Sequence, residues 1–157
     1  MMDNSKIWEK YDGRLAVVDE TAVRRFQEQL GIRFPGDYIN CLVANAGKSL
    51  EDGWEVLAST IGQSTGMMLG FLPGCVDNPI EFSGTVPYWH QIMSQDFSDR
   101  FVPIMGGVGG GDIVLDYRLS SESPSVNFIH PESFGEDAVV AVASSFSSFL
   151  DSLVWVE

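Results

Sequence analysis

The chain has 157 residues, of which 45% are hydrophobic and 11% aromatic, a composition that predicts a packed core rather than a disordered chain. Its net charge of −13 disfavours nucleic acid and anionic membranes as partners, and its two cysteines are too few for a disulfide framework. Because there is neither a bilayer-spanning apolar run nor an apolar signal segment, we expect one cytoplasmic domain over residues 1–157, with a core from about residue 19 to 153.

The clearest helical patterns lie at the two ends of the chain. In DETAVRRFQEQLG, Asp19 can cap a helix that ends at Gly31. In IRFPGDYINCLVANAG, Pro35 suits the first helical position and Gly47 closes the apolar stripe. A third helix is predicted in SSFSSFLDSL, near the C-terminus, after a capping serine.

Between these helices the apolar pattern changes to one typical of strands. A short helix is also predicted between Pro87 and Phe97, with Trp89, Ile92 and Met93 facing inward. The predicted strands are Trp54–Ile61, Met67–Leu72, Phe101–Met105, Asp112–Arg118, Val126–Ile129 and Ala138–Ala143. The sequence therefore predicts an α+β fold, a mainly antiparallel sheet of about six strands with the N-terminal helix pair and the C-terminal helix packed on it.

The negative charge is confined to the later part of the chain. Residues 1–48 contain seven basic and seven acidic residues, whereas the remainder contains fifteen acidic residues and only Arg100 and Arg118 as basic ones. Such asymmetry would steer a basic partner toward the later segment. Solubility is the alternative explanation of the same charge.

The glycine-rich stretch GGVGGGDIVLDYR, residues 106–118, does not fit a phosphate-binding loop. No register gives G-x-G-x-x-G, no lysine follows, and the next residues alternate as in a strand. Asp112 and Asp116 share one strand face but lie about 13 Å apart, beyond the ~9.5 Å limit of a glycosidase pair. We therefore predict a connection between two strands and two solvated strand-edge carboxylates.

Other catalytic patterns are equally incomplete. GQSTG, residues 62–66, matches the G-x-S-x-G motif around Ser64, but the apolar, β-like residues after it do not suit the required helix. The two histidines, His90 and His130, are forty residues apart and form no metal-binding spacing with a cysteine. We predict no enzyme, no metal site and no cofactor, and keep a small serine hydrolase using Ser64 as a remote alternative.

Four blocks, in order, resemble the SUKH superfamily, a domain first described in a fungal cell-wall assembly regulator and now associated with bacterial immunity proteins. They are GIRFPGDY (31–38) with NAG (45–47), LGF (69–71) after a Trp54-bearing strand, FVPI (101–104) with GDIVLD (111–116), and SFSSFLDSL (145–153). The chain has NAG where the family often has paired glycines and Phe101 where it commonly has tryptophan. The segment from Asp77 to Arg100 falls outside these blocks and suits a family-specific insertion.

The resemblance implies a non-enzymatic intracellular binding protein, and first of all an immunity protein that neutralises a polymorphic or contact-delivered toxin. A cytosolic regulatory or scaffold protein of the same fold is the alternative. We hypothesise a basic toxin domain such as a nuclease as partner, attracted by acids and anchored by an aromatic residue. The candidate partner-binding residues are Glu51, Asp52, Trp54, Glu55, Trp89, Asp112 and Asp116. For the two tryptophans, a place in the core is the competing interpretation.

Overall fold

The computed structural model describes residues 8–11, 13–49, 54–56, 63–64, 67–106, 111–130, 133 and 135–155. Glu51 and Asp52 lie outside these residues, and for residues 54–56, 63–64 and 154–155 the backbone alone is described. The α-helices of the described residues are α1 (Glu20–Leu30), α2 (Gly36–Asn45), α3 (Val86–Met93) and α4 (Phe146–Asp151). The strands are β1 (Trp54–Val56), β2 (Gln63–Ser64), β3 (Phe101–Gly106), β4 (Asp112–Asp116), β5 (Ser125–Ile129), β6 (Val139–Ala143) and β7 (Leu153–Trp155).

The strands form two sheets rather than one. The larger is antiparallel, in the order β3-β4-β5-β6, and the smaller has the order β2-β1-β7. The α+β class is confirmed, whereas one sheet of about six strands is not. The glycine-rich stretch connects β3 to β4, whose ends pair Gly106 with Asp112, and residues 107–110 lie outside the described part.

One predicted strand is wrong. Residues 67–72 form only isolated bridges: Met67 to Ser49, Met68 to Met105 and Gly70 to Thr85. The apolar run is nevertheless buried, and it covers the outer edge of β3, since the Leu69 amide donates to the Ile104 carbonyl (2.9 Å). A covered edge cannot pair with another chain, which is how proteins protect exposed strands.

The predicted helix ends are confirmed where a local cap forms. The Asp19 carboxylate accepts a hydrogen bond from the Ala22 amide (3.0 Å), and Gly31 ends α1 with a φ of 64°, in the left-handed region. The Ser145 hydroxyl accepts from the Ser148 amide (3.1 Å) at the start of α4. In α2, Pro35 is the capping residue and the first helical residue is Gly36, one position later than predicted.

A long-range contact joins the starts of two helices. One carboxylate oxygen of Asp37, in α2, accepts a hydrogen bond from the Ser147 amide (3.0 Å) in α4. The Ser147 hydroxyl donates to the same oxygen, and both groups belong to the first turn of α4. A carboxylate placed there satisfies backbone donors that the helix itself leaves unpaired.

Apolar side chains cover both faces of the larger sheet. Ile113 and Leu115 of β4 belong to the main core, which also holds buried residues of α1, α2 and α4. Val114 points to the opposite face and packs in a second cluster with Met93 of α3 and Ile129 of β5. The helices therefore do not all lie on one face, because the end of α3 contributes to the second cluster.

Candidate protein-binding surface

Helix α3 is fixed at its N-terminus by a buried threonine. The Thr85 hydroxyl donates to the Phe82 carbonyl (2.7 Å) and accepts from the Tyr88 amide (3.4 Å). The next residue, Val86, donates its amide to the Gly70 carbonyl (2.9 Å), so the helix begins against the segment that covers β3. Local capping and this one tertiary bond together set the direction of α3.

The C-terminal side of α3 is held just as closely. His90 Nε2 donates to the Asp99 carbonyl (2.7 Å), and the Phe97 amide donates to the Met93 carbonyl (2.9 Å). The imidazole ring also meets Phe26 of α1 edge-on, with ring centroids 5.3 Å apart. His90 is half-buried, and its ring contacts α1 and the loop after α3.

Residues on one side of α3 line a pocket of about 120 Å³, which we call the α3 pocket. Its apolar lining consists of Trp89, Ile92, Met93, Phe97 and Ile129. Its polar lining consists of Asp96, Asp112 and His130. The structure thus brings two predicted site residues together, since Trp89 and Asp112 lie in the same pocket on different elements.

The depth of the α3 pocket comes from the second core cluster. Met93 and Ile129 are buried there, while Trp89 and Ile92 are half-buried. Of the three α3 residues predicted to face inward, only Met93 is therefore buried. Trp89 packs against the main core, as the competing interpretation holds, and it also lines the pocket. Asp96 is exposed and Asp112 is half-buried at the rim.

The opposite side of α3 lines a larger pocket of about 320 Å³, which includes Phe26, Val76, Pro87 and Asp99. The α3 residues of the two pockets fall on opposite helical faces because of the 3.6-residue period. Beside this larger pocket, Arg25 of α1 and Asp77 form a bidentate pair with distances of 2.8 and 2.5 Å. The pair holds the pKa of the Asp77 carboxyl below its ordinary value, chiefly through the hydrogen bond from Arg25.

The far end of β4 carries a different arrangement. Asp116 accepts hydrogen bonds from Arg118 Nη2 (2.9 Å) and from the Asn127 amide nitrogen (2.8 Å), and its side chain is only 9% exposed. It also accepts from the Arg118 backbone amide (3.0 Å), as a turn-forming aspartate does. The prediction of a solvated edge carboxylate is wrong for Asp116, because β4 is an inner strand and Arg118 folds back over it.

Both basic residues of the acidic region are engaged inside the protein. Arg100 Nη1 donates to the Leu30 carbonyl at the end of α1 (2.6 Å). Besides Asp116, Arg118 binds Glu136 (2.6 Å) and lies over the Phe101 ring, 4.5 Å from its centroid. Neither arginine lines the α3 pocket.

The remaining candidate residues lie elsewhere or outside the described part. Trp54 and Glu55 belong to β1, the middle strand of the smaller sheet, and Glu51 and Asp52 precede it outside the described residues. Sequence reasoning did not select Asp96, Phe97 and Ile129 for the pocket. Asp96 and Phe97 follow the predicted helix in the sequence, but their proximity to Ile129 of β5 depends on tertiary structure.

The chemistry of the described residues offers little to a catalytic mechanism. Cys41 and Cys75 are free and buried, and burial raises the pKa of each thiol to about 11, well above the range of a reactive cysteine. Ser64 lies in strand β2, and Met67 and Met68 form β-bridges where a hydrolase motif requires a helix. No three metal-ligating side chains cluster among the described residues.

The α3 pocket combines an aromatic wall with an acidic rim on an α+β scaffold. The sequence-family comparison then specifies the group: residues 17–152 match the SMI1/KNR4 family (SUKH-1), and the chain belongs to this family. The match runs through residues 77–100, which carry α3. Searches of curated proteins and of solved structures found no match, and no helix of the described residues is long and apolar enough to cross a bilayer.

Proposed function

We propose that this protein is a non-enzymatic immunity protein that binds and neutralises a basic toxin domain in the cytoplasm. Family membership supports protein–protein binding in general. The observation that carries the specific proposal is the engagement of Arg100 and Arg118 within the fold, which leaves the acidic region without a mobile cation. Such a surface repels nucleic acid and attracts a protein that itself binds nucleic acid.

The face around α3 is the part of this surface best suited to the partner. Asp96 and Asp99 are exposed beside the two pockets, and Trp89 offers an aromatic wall on a helix fixed at both ends. A rigid aromatic residue with neighbouring charges is the usual composition of an interaction hot spot. Glu51, Asp52, Trp54 and Glu55 remain proposed partner-binding residues, with Asp112 at the pocket itself, whereas Asp116 is left out because Arg118 covers it.

The decisive experiment is co-expression with a toxin domain encoded beside the gene for this chain. We expect the chain to restore growth and the purified toxin to bind it with an affinity that falls as salt rises, because charge complementarity is screened. A Ser64→Ala variant serves as control and should protect equally, since no hydrolysis is involved. Continued growth arrest together with no binding would exclude the immunity role and leave a regulatory protein of this family.

A further inference from the structure

We propose that the α3 pocket receives an arginine side chain of the partner protein. This inference rests on the proposed function, because it names the chemical group by which a basic partner would be recognised. It follows from three properties of the pocket: its size, its mixed lining and the charge at its rim.

The size of the pocket suits one side chain. At about 120 Å³ it lies below the ~300–1,000 Å³ that is typical of sites for small molecules. Met93 and Ile129 close its floor with buried apolar surface, which suits the aliphatic part of a long side chain. A metabolite of ordinary size would leave most of its surface in water.

The lining distinguishes arginine from lysine. Trp89 and Phe97 supply aromatic surface, against which a planar guanidinium stacks, and Asp96 and Asp112 supply carboxylates on different elements. An ammonium group holds its water more strongly and has no plane to stack. Interfaces are accordingly enriched in arginine and depleted in lysine.

His130 contributes a packed aromatic ring to the pocket wall. Within the described part of the chain, His130 Nδ1 is buried without a hydrogen-bond partner. The ring meets Phe128 edge-on, with centroids 5.8 Å apart, and the His130 backbone amide donates to the Ala138 carbonyl (2.7 Å).

The test uses the whole chain and a minimal probe, N-acetyl-L-argininamide, followed by NMR at the indole N–H of Trp89. Spectra of Trp89→Phe assign that signal. N-acetyl-L-citrullinamide, which has nearly the same shape without the charge, is the matched probe. We expect saturable shifts with the arginine compound and at least about tenfold weaker binding of the citrulline compound, since the charged contacts are lost.

Two variants of equal charge test the location. Asp96→Asn/Asp112→Asn removes both rim carboxylates, and Glu122→Gln/Asp151→Asn removes two exposed acids that do not line the pocket. At constant ionic strength we expect the first to weaken arginine binding at least about tenfold and the second less than about twofold. If the first does not fold, Asp96→Asn alone replaces it, because this residue is exposed.

Equal shifts with both probes, or equal losses in both double variants, would overturn the pocket assignment. Neither result would affect neutralisation of the toxin, which the growth experiment measures separately. Conversely, if the chain binds the arginine probe but does not protect cells from the toxin, the assignment of the pocket stands and the immunity role is excluded.

Discussion

The two ends of strand β4 carry the same residue type in very different surroundings. Asp112 lies at the rim of the α3 pocket, whereas Asp116 is almost buried beneath Arg118 and bonded to Asn127. Both face the same side of the sheet, so their difference arises entirely from neighbouring elements. Arg118 covers the Asp116 carboxylate, whereas Asp112 lines a pocket, and substitutions at both ends of the strand test this difference.

The largest effect is expected from Asp116→Ala. It would leave the amide of Asn127, a 6% exposed residue, and the Arg118 guanidinium without their shared acceptor. Loss of the acceptor of a buried amide, together with loss of a charge-assisted bond from the partly exposed Arg118, costs about 3 kcal/mol in the free energy of unfolding. Urea denaturation measures it.

The control for that network is Glu136→Gln, which alters the exposed end of the same arginine. Glu136 is 79% exposed, so its loss should cost less than about 0.5 kcal/mol. If both substitutions destabilise the protein equally, Asp116 is not the buried centre of the network.

A smaller effect is expected at the other end of the strand from Gly111→Ala. A Cβ atom there would lie 2.1 Å from the ring of buried Phe128, which in turn meets His130 in the pocket wall. Overpacking of this kind costs about 2 kcal/mol. Gly106→Ala is the matched control across the β3–β4 pair, because a Cβ atom there meets nothing within 4 Å. Equal shifts of the thermal unfolding midpoint in the two variants would contradict the packing argument.

The smallest effect is expected from Asp77→Asn, an exposed counterpart of the Asp116 network. Because Arg25 lowers the pKa of Asp77 below 3.8, the pair stabilises the folded state above about pH 4, and this contribution is lost as the pH falls further. Both side chains are well exposed, so the difference in unfolding midpoint from the parent protein should be slight at pH 7 and should shrink as the pH falls below about 4. A difference that grew in acid would contradict this assignment.

Helices were predicted better than strands for a physical reason. The caps at Asp19, Gly31 and Ser145 act within three or four residues, so the sequence alone contains both partners. The run at residues 67–72 is as apolar as a strand, yet its backbone bonds go to four separate segments. Apolar pattern reports burial, whereas strand pairing depends on residues far apart along the chain.

The amino-acid sequence by itself determined the α+β class, the helix ends, the family resemblance and the excess of acids after residue 48. Tertiary structure alone decided which acids remain at the surface: it placed Arg118 over Asp116 and brought Asp96 and Trp89 to Asp112. The reason is that charge counts and local caps are properties of neighbouring residues. The surroundings of a carboxylate depend on which distant elements pack against it.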